Sequence, residues 1–101
     1  MSEHIFLALS DVQRSLLRRL VDTAVPGARV AVFGSRATGR ARPFSDVDLL
    51  VLKPAPLTWQ QRTALRDAFE ASELPFHVDV VEVASIPAAM LARIQTEAVP
   101  L

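Results

Sequence analysis

The chain has 101 residues, of which 50% are hydrophobic, and its formal net charge is zero. This length suits one domain, and the apolar content predicts a packed core rather than a disordered chain. A neutral chain argues against long-range attraction to nucleic acid or to an anionic membrane as the main activity. Because the sequence contains no cysteine, disulfides, zinc–thiolate sites and thiol nucleophiles are excluded.

The sequence shows neither a secretion signal nor a membrane span. The apolar stretch at residues 5–9 is only five residues long and follows Glu3 and His4. A secretory signal has a longer apolar region behind positive charge, and a membrane helix is longer still. We therefore expect a single domain over residues 1–101 that acts in the cytoplasm.

Cap and turn signals divide the chain into alternating helices and strands. Capping-box patterns begin two helices at Ser10 and Thr58, and proline or glycine follows most of the elements. Short valine-rich runs between these signals predict buried strands. The predicted elements, in chain order, are a helix from Ser10 to before Pro26, a strand over 28–33, a helical turn near 35–38, a strand over 46–52, a helix from Thr58 to about Ser72, a strand over 76–83 and a helix that starts at 85–87.

The connections between the strands predict the sheet. A whole helix separates the second and third strands, so these two can run parallel. No full helix separates the first and second strands, so these two are expected to be antiparallel. The predicted fold is α+β, with a three-stranded mixed sheet and flanking helices in the order α-β-(turn)-β-α-β-α. Residues 99–101 are expected to form a tail.

Two aspartates open the second predicted strand. Asp46 and Asp48 are two residues apart, so both carboxylates point to one face, with α-carbons roughly 6.5–7 Å apart. Such carboxylates can converge on metal ions about 3.5–4 Å apart, the spacing of two-metal phosphoryl-transfer sites. Without a cation, two like charges side by side on a sheet are unfavourable. Asp-x-Asp alone is common, and an ordinary acidic strand edge is the alternative explanation.

The third predicted strand offers a third acid. Asp79 and Glu82 have opposite parity, so only one of them can face the pair of aspartates on the second strand. Asp79 lies between two valines, where an unpaired carboxylate would be costly, whereas Glu82 near the strand end can reach water. We therefore predict that Asp79 completes the site.

The segment before the acids has the residue types of a phosphate-binding loop. Gly34 lets the backbone approach a ligand closely, and Ser35 offers a hydroxyl beside an amide at the start of the following turn. Arg36 and Arg42 are candidates to neutralise a triphosphate, because guanidinium favours two-pronged contacts to phosphate. Ser45 is a candidate hydrogen-bonding group near the metals.

In combination these features are far more specific than each is alone. The pattern Gly34-Ser35-x10-Asp46-x-Asp48, with an acid inside a third strand, resembles the signature of the minimal nucleotidyltransferases in the DNA polymerase β-like superfamily. The likeness covers most of the chain. Residues 34–39 also match the Gly-Ser-Arg-Ala-x-Gly loop found in relatives.

The resemblance implies a polymerase β palm-like fold and an enzyme that uses ATP with two Mg²⁺ ions. Asp46 and Asp48 would bridge both ions, and Asp79 would bind the catalytic ion and help to deprotonate the acceptor hydroxyl. Ser35 and the Gly34 backbone would hold the β- and γ-phosphates. Minimal members often resemble antitoxins paired with a helical HEPN toxin, and some resemble enzymes that transfer AMP onto a tyrosine of that toxin.

The predicted function is therefore Mg²⁺-dependent transfer of AMP from ATP to a hydroxyl of a protein partner, as the antitoxin of a HEPN pair. One alternative is a non-catalytic antitoxin that neutralises its toxin by binding, through apolar surface around residues 5–9 and the final helix. Another is nucleotidyl transfer to a small molecule, for which a partner subunit would have to supply the additional helical domain of such relatives. Direct binding to nucleic acid is not expected, and the oligomeric state stays open, a homo-oligomer included.

Overall fold

The structure, a computed structural model, describes residues 7–101. Its elements, in chain order, are α1 (Asp11–Ala24), β1 (Arg29–Phe33), α2 (Ser35–Thr38), β2 (Val47–Lys53), α3 (Trp59–Glu70), β3 (Val78–Glu82), a 3-10 turn (Val83–Ser85), α4 (Ala88–Glu97) and β4 (Val99–Pro100). The helices and strands predicted from the sequence are all present, with ends that differ by one or two residues. Each helix in this part of the chain is too short or too polar to cross a bilayer.

Both predicted capping boxes are formed. The Ser10 hydroxyl accepts the Gln13 N–H at 3.1 Å, and the Gln13 side chain accepts the Ser10 N–H at 3.0 Å. Thr58 and Gln61 repeat this arrangement at the start of α3, with distances of 3.1 and 2.9 Å. Each box satisfies amide groups that the first turn of a helix leaves unpaired, and such a cap contributes about 1 kcal/mol.

The strands form one mixed sheet in the order β3-β2-β1-β4. As the connections predict, β1 and β2 are antiparallel and β2 and β3 are parallel. The predicted count of three strands is one too low, because residues 99–100 pair with β1 instead of forming a tail. Two residues carry no recognisable period, so pairing with a distant strand decides this segment. Arg14 and Arg18 of α1 also hold it, by donating to the carbonyl oxygens of Pro100 and Leu101.

The two faces of the sheet are covered differently. One face packs against α1 and α3, and we refer to it as the core face. The buried cluster on that face includes Leu17, Val21, Val30, Val32, Leu49, Val51, Leu65 and Phe69. The opposite face carries the alternate residues Ala31 and Leu50, both buried, and lies against α4, where Ile94 is buried. We refer to it as the open face, because its residues near the ends of β2 and β3 reach solvent.

The segment before α1 lies against the core. Leu7 and Leu9 pack partly buried against the hydrophobic cluster, and the Ala8 N–H donates to the Arg36 carbonyl at 2.8 Å. Leu7 and Leu9 therefore do not support the predicted apolar docking surface at residues 5–9, since their side chains pack against the core of the same chain. Residues 5 and 6 lie outside the described residues.

Candidate active site

The topology brings the three predicted acids to one end of the open face. Parallel pairing of β2 with β3 places Asp48 directly beside Asp79. Partners on adjacent strands lie about 4.8 Å apart and project to the same face. Asp46 precedes β2 by one residue, and its charge acts on Asp48. Two carboxylates on paired strands and one from the residue before β2 therefore lie near one another.

The electrostatics of Asp48 are those of a crowded acid. Burial is the largest cause of a raised pKa for this carboxyl, followed by repulsion from Asp79, then Asp46, then Glu97. The salt bridges in residues 7–101 lie elsewhere, along α1 and between α3 and β3. A divalent cation bound here would relieve the repulsion that raises this pKa.

The donor set of the three aspartates suits a divalent metal by its chemistry. Among residues 7–101, no group of three histidine or acidic side chains has the geometry of a complete metal site. Asp46, Asp48 and Asp79 supply carboxylate oxygens only, which are the ligands that hard cations such as Mg²⁺ prefer. By donor chemistry, these residues fit such an ion.

The two acids of β3 have different surroundings. Asp79 is on the open face and exposed, so the predicted cost of burying an unpaired carboxylate at this position is wrong. Glu82 is on the core face, where its side chain is 15% exposed, and it bonds to Arg62 and to the Leu57 N–H, the latter at 2.9 Å. The hydrogen bond from Arg62 is the largest cause of a lowered pKa at Glu82. Since both Glu82 oxygens are engaged within the fold, only Asp79 is free to meet a ligand beside Asp48.

Gly34 lies against Asp48 at the end of β1. Its φ of 77° and ψ of −152° belong to a region that is essentially restricted to glycine. A Cβ atom at this position would overlap the Asp48 carboxylate, so any side chain would displace the acid as well as strain the backbone. The Gly34 N–H donates to Glu97 Oε1 at 3.2 Å. Glycine is therefore required here for close approach between the strand end and the acids.

Glu97 is a fourth acid at the site, and it is not predicted from the sequence. It lies at the end of α4, is half-buried, and contributes to the raised pKa of Asp48. The spacing of Met90, Ile94 and Glu97 is that of one helical face, and Ile94 is buried against the sheet. The helical spacing in the sequence is therefore a signal from which Glu97 could be predicted, because it places the Glu97 side chain on the face of α4 that packs against the strands.

Arg36 does not have the predicted nucleotide-binding position. Its side chain is 5% exposed, and its guanidinium donates two hydrogen bonds to the Ser45 carbonyl and one each to the carbonyls of Ala8 and Pro43. The guanidinium also lies over the Phe76 ring, 4.4 Å from its centroid. Arg36 therefore fixes the loop that leads to the first aspartate, and a contact to triphosphate is not supported.

The other predicted loop residues are spread over different roles. Ser35 is the half-buried first residue of α2. The Ser45 hydroxyl accepts the Arg42 N–H at 2.8 Å and so closes a turn, while the Arg42 side chain is exposed. The arginines that line the cavity beside the acids are Arg40 and Arg93, in place of the predicted Arg36 and Arg42.

This cavity has a volume of about 400 Å³ and a polar and an apolar part. The polar part contains Gly34, Asp48, Asp79 and Glu97, and the apolar wall consists of Phe33, Val81, Ile86, Met90 and Ile94. A larger groove of about 610 Å³ follows α1, but its carboxylate, Asp22, is paired with Arg18. The smaller cavity can accept a ligand that combines anionic and apolar groups, with the acids at one end.

The family of the chain follows from comparison of this arrangement with known proteins. Residues 14–101 match the family model described as nucleotidyltransferase domain. The chain belongs to this family. A Haemophilus influenzae protein named probable protein adenylyltransferase MntA is 33% identical to this nucleotidyltransferase over 79 residues, which cover 78% of this chain and 69% of that protein.

Solved structures agree with this assignment. A structure described as a minimal nucleotidyltransferase superposes with a TM-score of 0.72 at 29% identity, covering 99% of this chain and 100% of that chain. A crystal structure of a toxin–antitoxin with AMP-PNP has a TM-score of 0.69 at 25% identity, covering 85% of this chain and 69% of that chain. The fold is the α+β nucleotidyltransferase fold, with a mixed sheet of four strands in the described residues, and the protein is a nucleotidyltransferase.

Proposed function

We propose that this nucleotidyltransferase transfers AMP from ATP, with Mg²⁺, to a hydroxyl of a partner protein, as the antitoxin of a toxin–antitoxin pair. The observation that carries the proposal is the pairing of Asp48 with Asp79 beside Asp46 on the open face. Likeness to a protein adenylyltransferase and to a toxin–antitoxin structure supports AMP as the group and a protein as the acceptor. A helical HEPN protein is the partner class that the resemblance to the minimal nucleotidyltransferases implies.

The three aspartates are the proposed metal ligands. Asp46 and Asp48 would hold both Mg²⁺ ions, and Asp79 would hold the ion nearer the acceptor. When bound, Mg²⁺ neutralises charge on the triphosphate and lowers the pKa of the attacking hydroxyl. The Gly34 amide and the Ser35 hydroxyl bind oxygens of the β- and γ-phosphates, and Arg40 at the cavity adds positive charge for the leaving pyrophosphate.

The proposed reaction is an in-line displacement at the α-phosphorus. The acceptor oxygen forms a bond to this phosphorus, and the bond from the phosphorus to the oxygen that bridges the α- and β-phosphates breaks. Pyrophosphate leaves with that bridging oxygen, and the acceptor becomes an AMP ester. Asp79 takes the hydroxyl proton, because it is exposed and lies beside Asp48.

The test follows label from ATP to the protein encoded by the neighbouring reading frame. With Mg²⁺, α-³²P-ATP is expected to label this partner and γ-³²P-ATP to leave it unlabelled, since the β- and γ-phosphates depart. Asp46→Asn is expected to abolish labelling, whereas Asp67→Asn, an exposed position on α3, is expected to retain it. If Asp79→Asn labels the partner as fully as the wild type does, Asp79 is not part of the active site. Toxin neutralisation that survives combined Asp46→Asn and Asp48→Asn would favour the binding-only antitoxin.

A further inference from the structure

The Gly34 amide at the candidate site is engaged by a carboxylate of the chain itself. The Gly34 N–H donates to Glu97 Oε1 at 3.2 Å, near the long end of the usual range. Glu97 lines the same cavity as Asp48 and Asp79 and is half-buried there. The contact joins the end of α4 to the end of β1, where the metal-binding acids begin.

This contact and the proposed phosphate contact need the same hydrogen. Gly34 has one N–H, and a donor shared between two acceptors serves each of them less well. A triphosphate oxygen and the Glu97 carboxylate are also both anionic, so they repel each other when they approach one amide. The charge of Glu97 already acts within the site, as its effect on the pKa of Asp48 shows.

We propose that Glu97 competes internally with the triphosphate, by binding the Gly34 amide in the position that a phosphate oxygen takes and releasing it when nucleotide binds. The proposal rests on the proposed function, because it requires a triphosphate at Gly34. Its consequence is that Glu97 weakens triphosphate binding, and that removal of its charge strengthens binding.

The surrounding contacts favour a side-chain movement over a movement of α4. The Ala98 N–H donates to the Ile94 carbonyl at 3.0 Å, and Val99 is buried and paired with Val32 of β1, so the backbone on both sides of Glu97 is held. Arg93 lies one turn earlier on α4 and lines the same cavity. Residues four apart on a helix are neighbours, so a rotated Glu97 carboxylate has a cation within reach.

The amide of Gly34 can be followed directly. The chain contains three glycines, so protein labelled with ¹⁵N-glycine gives three backbone signals, which Gly27→Ala and Gly39→Ala assign. Glu97→Gln and Glu97→Ala are expected to move the Gly34 signal and to leave that of Gly27, in the turn after α1. Mg²⁺ with an ATP analogue that carries a methylene between the α- and β-phosphates is expected to move the same signal in the wild type, as the phosphate replaces the carboxylate.

Titration with this analogue measures the competition. The dissociation constant is expected to fall from wild type to Glu97→Gln to Glu97→Ala, by roughly three- to tenfold overall, the range for loss of one competing hydrogen bond. Glutamine loses the charge but keeps an acceptor oxygen, which places it in between. Glu73→Gln, an exposed position between α3 and β3, is the matched control and is expected to bind as the wild type does.

The outcomes separate this proposal from the proposed function. If the wild type binds the analogue and both Glu97 variants bind it equally or more weakly, the competitor role is wrong. Within this result, weaker binding by Glu97→Ala together with wild-type binding by Glu97→Gln would show that the Glu97 side chain positions Gly34. If neither the wild type nor any Glu97 variant binds, the proposed nucleotide site itself fails. Glu97→Gln retains the hydrogen bond to Gly34, so its result stands even where Glu97→Ala does not fold.

Discussion

The core face and the open face of the sheet treat carboxylates in opposite ways. On the core face, Glu82 bonds to Arg62 and to the Leu57 amide, and these bonds lower its pKa. On the open face, burial and the neighbouring acids raise the pKa of Asp48, with Asp79 as the strongest of those neighbours. The surroundings therefore stabilise the ionised carboxylate of Glu82, at the end of β3, and destabilise that of Asp48, beside the start of β3.

This difference separates acids that stabilise the fold from acids that are available to a ligand. Glu82 has its charge and both oxygens satisfied within the chain, so it gains little from an added cation. Asp48 is disfavoured as an anion in the folded protein, and a cation would remove that cost. A group in a cleft whose pKa is shifted by neighbouring charges is a candidate for function on this ground, and geometry decides among such groups.

The largest expected effect comes from Asp48→Asn. Transfer of AMP is expected to fall at least about a hundredfold, because a proposed metal ligand is lost. The melting temperature in the presence of a chelator is expected to stay level or rise, because the repulsion among the acids is reduced. Labelled transfer and thermal melting measure the two effects, with Asp67→Asn as the control. A clear fall in melting temperature would show that Asp48 stabilises the fold as Glu82 does.

A second, smaller effect tests whether Arg36 stabilises the loop that leads to Asp46. Arg36→Lys keeps the charge but loses the planar fork that bonds to the carbonyls of Ser45, Pro43 and Ala8. Buried acceptors that lose their donors cost about 1–3 kcal/mol each, so we expect the free energy of unfolding to fall by about 2–4 kcal/mol. Urea denaturation measures this change.

The matched control is Arg42→Lys, whose side chain is exposed in the same loop. It is expected to leave the unfolding free energy unchanged. Equal stability losses in both variants would mean that the loop is sensitive to any change of arginine, rather than held by the bonds of Arg36.

The fold is largely predictable because its signals are local. The capping boxes at Ser10 and Thr58 predict where two helices begin, and the connections favour the strand directions that the structure has. Parity places Asp79 and Glu82 on opposite faces of β3, and the structure has them so. The fourth strand cannot be predicted in this way, because its two residues form a strand only by pairing with β1.

The site is less predictable because its contacts link distant segments. A Gly-Ser-Arg loop before Asp-x-Asp does not reveal that Arg36 turns inward, since this depends on where Ala8 and Phe76 lie. The bond between Glu97 and Gly34 joins residues 63 positions apart. The roles of Asp46, Asp48 and Asp79 as metal ligands remain predictions, and the structure adds to their spacing only that Asp48 is paired with Asp79.

The smallest effect is expected on the core face, at Glu82→Gln. A neutral amide cannot accept from Arg62 and Leu57 on both of its terminal atoms, so part of the network is lost. We expect the melting temperature to fall by roughly 4–8 °C, the change for about 1 kcal/mol in a domain of this size. Transfer of AMP is expected to stay near the wild-type rate, because Glu82 projects away from the open face. A loss of transfer as large as that of Asp48→Asn would contradict the division of roles between the faces.

The stabilities of these two variants, relative to the wild type, are expected to respond to pH in opposite ways. Since the folded pKa of Glu82 is lowered, its contribution is complete above the ordinary glutamate value of about 4.3 and is lost as the pH falls through the folded pKa. Since the folded pKa of Asp48 is raised, the wild type loses stability as the pH rises from the ordinary aspartate value of about 3.9 through the folded pKa. In melting curves with a chelator, the penalty of Glu82→Gln should therefore close below about pH 4.3, whereas the gain of Asp48→Asn should open above about pH 3.9. A Glu82→Gln penalty that persists in strong acid, or an Asp48→Asn gain that is largest there, would mean that the two surroundings do not set these pKa values.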